Sequence, residues 1–142
     1  MTLTDERITA ERLEELLADD SVDMAHRVLW LLLWEGEMRV LDLLSLEIGD
    51  VDLAAGRVTG VCGKAVPEGE GVLGERAVEM LTRLVGDRET GPLFARGSRA
   101  LTWEQVMQTA GEKGLAIHEF RASGKLHRRE EPGRDAETDG GR

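Results

Sequence analysis

This sequence contains no tyrosine. Any reaction whose nucleophile is a phenol is therefore beyond the chain alone. Thiols are nearly absent as well: Cys62 is the only cysteine, which excludes an internal disulfide, a redox pair and a cysteine-based zinc site. That usage fits a reducing compartment, so a cytoplasmic protein is expected. With only three prolines, long stretches are left free to be helical. Long hydrophobic runs are missing too. Val28 to Trp34 is the longest, far too short to span a bilayer, and it reads as a buried helix. Met1 to Arg7 is polar and acidic, unlike the basic-then-apolar start of a secretory leader. His26 and His127 stand in no ligand motif, so neither a metal nor a cofactor is expected.

What is present is globular. The chain has 142 residues, 41% of them hydrophobic and 32% charged, which suits one domain around a single core. Its net charge of −10 argues against indiscriminate binding to nucleic acid. The distribution is uneven, however. Residues 1–90 carry 9 basic and 20 acidic side chains, whereas residues 91–129 carry 7 basic and 3 acidic. A polyanion would have to be met by that second part, through Arg96, Arg99, Lys113, Arg121, Lys125, Arg128 and Arg129.

Residues 8–18 place Leu13, Leu16 and Leu17 on one helical face. Ser21 is a candidate N-cap for a helix running to about Trp34, apolar nearly all round and so central to the core. A short helix follows from Arg39 to Leu46. Asp50, Asp52 and Gly56 mark a turn, Arg57 to Val61 has strand character, and Gly63 turns the chain into a second strand at Lys64 to Pro67. Helical spacing resumes at Ala77, Met80, Leu81 and Leu84 and breaks at Gly91-Pro92. Thr102 to Gln105 is a capping box. Trp103, just inside that start, is expected to lie over the core, and Trp30 and Trp34 to pack within it. Ile117 to Arg129 forms a last helix weakened by Gly124. The expectation is a mostly α fold with a small antiparallel β-sheet (α+β) over residues 1–129. Residues 130–142, rich in Pro, Gly and charge, read as a disordered tail.

Three segments, in order, resemble the catalytic domain of the tyrosine recombinases, the phage-integrase family. Residues 31–53, LLLWEGEMRVLDLLSLEIGDVDL, are similar to the box in which a helix ends at a Gly-x-Arg turn and an acid follows. Arg39 falls on the arginine and Asp42 on the acid, while Glu37 replaces the usual glycine. Residues 56–81 are similar to the hairpin whose turn carries a lysine, here Lys64 after Gly63, although the returning strand has glycines where a further lysine and arginine are usual. AIHEFRASG, residues 116–124, follows GPLF at 91–94 and resembles the His-x-x-Arg box, with His118 and Arg121 aligned and Ala122 in place of a second histidine. The resemblance covers about residues 5–127. It stops before the nucleophilic tyrosine and does not include the family's separate DNA-clamping domain.

The resemblance implies a C-terminally truncated version of the DNA breaking-rejoining fold. It also implies that Arg39, Arg121 and His118 would hold phosphate oxygens, Lys64 would protonate a leaving oxygen, and Asp42 would orient its neighbours. Without tyrosine, self-contained strand transfer is excluded. Ser123 lies too close to Arg121 to replace the nucleophile, and Cys62 lacks an evident activating base. Plainer readings stand beside each site: an ordinary Arg39–Asp42 surface ion pair, Lys64 as a solvated hairpin tip, and His118 with Arg121 as a solvated helix face. Three functions follow as expectations. The first is a non-catalytic protein that binds DNA weakly or regulates a recombination or integration complex. The others are an acidic protein-interaction module without DNA binding, and one half of a split recombinase.

Overall fold

The computed structural model describes residues 8–36, 38–67, 70–96 and 99–129, so the expected tail and the Glu37 substitution lie outside the described residues. Architecture follows from α2, Met24–Glu35, in which every residue from Ala25 to Trp34 except Arg27 is buried. A helix apolar all round must be covered all round. The covering elements are α1 (Ala10–Leu17), α3 (Val40–Leu44), α4 (Glu75–Val85) and α6 (Glu119–Arg129). Helix α5, Trp103–Glu112, adds Val106 and Ala110 to the same core. Among the described residues no helix is long and apolar enough to cross a membrane.

Local sequence sets most helix ends. Thr9 caps α1 by accepting from the Arg12 amide at 3.1 Å, and Thr102 with Gln105 forms the expected reciprocal capping box on α5. Ser21 does not cap α2. Its hydroxyl donates to Asp19 Oδ1 at 2.6 Å, which leaves Asp23 as the N-cap residue. Trp103 is not a lid on the core either. At the first position of α5 its indole points outward, and the residue is 43% exposed.

Among the described residues the β structure is three two-stranded antiparallel ladders. Strand β1 (Val51–Asp52) pairs with β2 (Arg57–Val58), and β3 (Gly60–Val61) pairs with β4 (Lys64–Ala65). Residues 71–73 lie alongside β2, with the Val58 amide donating to the Gly71 carbonyl at 2.8 Å. The β3–β4 turn has positive φ at both central residues, 52° at Cys62 and 82° at Gly63, the geometry that matches strand twist in a two-residue hairpin. A third hairpin, β5 (Ala95–Arg96) with β6 (Arg99–Ala100), appears where the sequence shows no strand periodicity. The fold is α+β.

Helix α6 docks on α2 more closely than ordinary side chains permit. Trp30 and Phe120 stack with ring centroids 5.1 Å apart and planes 8° from parallel. One turn along, Gly124 lies against the Trp34 backbone, where an added Cβ would stand 2.7 Å from the carbonyl carbon and 2.9 Å from Cα. Arg128 donates to the same Trp34 carbonyl, supplying a partner to a helix-end oxygen that α2 cannot satisfy itself. The Ile8 amide donates to the buried Ser123 hydroxyl at 2.8 Å, tying the start of the described chain to α6. Gly124 is thus required by contact and is not a flaw in the helix. Replacing a helical Gly with Ala ordinarily stabilises by about 0.5–1 kcal/mol. Here Gly124→Ala is expected to destabilise by about 1–3 kcal/mol through overpacking, measured by urea unfolding.

Candidate nucleic-acid interface

Arg39 is the N-cap residue of α3, with extended backbone and an exposed side chain. Asp42 sits in the first turn of the same helix, half-buried. The two form no ion pair. Lys64 begins β4 opposite Val61, exposed beside the hairpin turn. His118 is exposed in the turn before α6, and Arg121 is half-buried in the first turn of that helix. Among the described residues Arg39, Lys64 and His118 make no side-chain hydrogen bond or ion pair. Such uncommitted donors are what a ligand oxygen requires.

Two of the three segments adjoin. The Cys62 thiol donates to Ser45 Oγ at 3.3 Å, and Ser45 in turn donates to the Asp42 carbonyl at 2.6 Å. The Lys64 hairpin therefore rests against the C-terminal end of α3, whose N-terminal end is Arg39. The third segment arrives differently. α6 runs alongside α2 in the same direction, Phe120 level with Trp30 and Gly124 and His127 level with Trp34. Its C-terminal half is the part beside the end of α2 that leads to Arg39. His118 stands about 15 Å away from Arg128 along the helix axis.

Helical rotation gathers the cations of α6. At about 100° per residue, His118, Arg121, Lys125, Arg128 and Arg129 fall within one arc of about 100°. Phe120, Gly124 and His127 face α2 instead. His118, Lys125 and Arg129 are exposed, whereas Arg121 and Arg128 are half-buried and engaged. The remaining expected DNA contacts divide. Arg99 is exposed on β6, and Arg96 lies opposite it on β5. Lys113 is committed elsewhere, to Asp19 at 2.8 Å. Ser123 is buried and engaged, consistent with its exclusion as a nucleophile.

Beside the first two segments lies an open groove of about 810 Å³, walled by the end of α2, α3, Val58 of β2, Val61 of β3, Val66 and residues 70–74. Asp42 belongs to this groove, together with Glu35 and Glu70. Burial pushes the Glu35 carboxyl above the usual carboxylate range, against the opposing pull of Arg76 and Arg128. Sequence reading overlooked Glu35 and Glu70, because one ends an apolar helix and the other sits among glycines with no motif around it. The chain matches no family model, no curated protein and no solved structure.

The Asp19–Lys113 pair has a pH signature. Hydrogen bonds from Lys113 and then Ser21 hold the Asp19 carboxyl well below its ordinary 3.8. A depressed carboxylate contributes stability that is complete above the ordinary value and lost as pH falls below it. Asp19→Asn is expected to flatten the acid side of the stability profile below about pH 3.8. Urea midpoints of both proteins between neutral pH and pH 2 check this.

Proposed function

We propose that this chain is a non-catalytic, tyrosine-recombinase-like protein that meets DNA phosphates and regulates a recombination or integration complex instead of performing strand transfer. The basic arc of α6 carries the reading. A helix face with His118, Lys125 and Arg129 exposed and Arg121 and Arg128 at its flank presents cations at a spacing that can follow a phosphate backbone. Arg39 and Lys64, exposed and uncommitted, support it, as does the family order of Arg39, Lys64, His118 and Arg121. Contacts of this kind position a protein on DNA without choosing sequence, so affinity is modest and salt-sensitive. The missing phenol limits the chain to binding. Selection of a DNA site then falls to a partner, a recombinase among the candidates.

Fluorescence anisotropy with labelled duplex DNA tests this. Binding should weaken as salt rises, with log K falling by roughly 0.9 per phosphate contact for each unit of log salt. Lys125→Ala/Arg129→Ala should lower that slope by about 2. Arg39→Ala/Arg121→Ala should weaken binding at every salt concentration. No binding by the wild-type chain at low salt would end the DNA reading.

A further inference from the structure

The groove beside Asp42 is a poor place for phosphate and a good one for something else. Its floor is apolar, formed by Leu32, Val58 and Val66, and its polar lining is acidic: Glu35, Asp42 and Glu70, with no Lys, Arg or His among the described lining residues. Of the arginines near Glu35, Arg76 is held by Glu14 in a two-pronged pair at 2.7 Å, and Arg128 is bound to the Trp34 carbonyl. The Glu35 carboxyl is crowded against the start of α4, where a Cβ built on Gly74 would stand 3.1 Å from Oε1. Glu35 is exposed as a residue, but partial burial of its carboxyl disfavours the charge, and a cation delivered from outside would favour it.

The outer wall supplies a second kind of contact. Residues 71–73 form the edge of the small sheet: the Val58 amide bonds to the Gly71 carbonyl and the Leu73 amide to the Gly56 carbonyl, each at 2.8 Å. Val72, between them, pairs with Arg57 without exchanging hydrogen bonds, so its own amide and carbonyl point away from the sheet. Val72 is 71% exposed. A groove that combines an apolar floor, an acidic rim and an open strand edge matches an extended chain.

We propose that this groove binds an extended segment of a partner protein, one that lays backbone against Val72, points alternate apolar side chains onto Leu32, Val58 and Val66, and places Lys or Arg on Glu35, Asp42 and Glu70. The groove and the exposed cations of the arc, His118, Lys125 and Arg129, are built from different residues, so this inference does not rest on the DNA reading. A chain using both would bridge DNA and a protein.

The test uses two labelled ten-residue peptides, one alternating Val with Lys and the other alternating Val with Glu, titrated with the full chain. The Val/Lys peptide should bind and the Val/Glu peptide should not. Glu35→Gln/Asp42→Asn/Glu70→Gln should weaken binding at least tenfold, whereas Glu89→Gln/Glu104→Gln/Glu112→Gln, which removes equal charge elsewhere, should leave it unchanged. On the wild-type chain, which needs no variant to fold, the peptide should shift the backbone amide resonances of Gly36, Val61 and Val72. Equal binding of both peptides, equal loss in both triple variants, or shifts confined to other surfaces would overturn the proposal. Loss of DNA binding by Lys125→Ala/Arg129→Ala has no bearing on it.

Discussion

The fold depends on how closely α6 can lie on α2. Two helices normally keep about 8–10 Å between axes because side chains hold them apart. Gly124 removes that spacer where the Trp34 backbone passes, and the approach lets Phe120 stack on Trp30 and Arg128 reach the Trp34 carbonyl. The same approach fixes the rotation of α6. With Phe120 and Gly124 turned inward, the cations have only one arc left to occupy. A packing constraint in the core thereby decides where positive charge appears on the surface.

The sequence revealed what is local and periodic. The helices at Ala10–Leu17, Glu75–Val85 and Trp103–Glu112 follow from apolar spacing and nearby caps, and the Gly63 turn follows from a residue suited to positive φ. What escaped was set at a distance. Gly124 reads as a weak point in a helix because propensity contains no knowledge of Trp34, far away in the chain. Lys113 reads as an available cation because Asp19 is equally remote. The β5–β6 hairpin has two residues per strand, too few for any alternation to register. Trp103 reads as core by its size, but its place at the first position of α5 leaves it facing out.

The candidate site divides in the same way. Arg39, Lys64 and His118 stand out in the sequence, and all three side chains are exposed. Their surroundings were not legible. Asp42, which in isolation suits a partner for Arg39, instead lines a groove with Glu35 and Glu70. Asp42 and Arg39, three residues apart, therefore stand in different surroundings.

Residues 91–129 carry 7 basic and 3 acidic side chains against 9 basic and 20 acidic in residues 1–90, so charge is unevenly divided along the chain. Screening at physiological salt confines the reach of each charge to about 8 Å, so an approaching polyanion senses local charge instead of the net −10. Under the proposed DNA reading, a polyanion approaching an acidic patch would be turned back, and one arriving at the exposed cations of α6 would be drawn in. On that reading the excess negative charge would be an orientation filter, rejecting most encounter geometries and leaving a narrow range in which contact can mature.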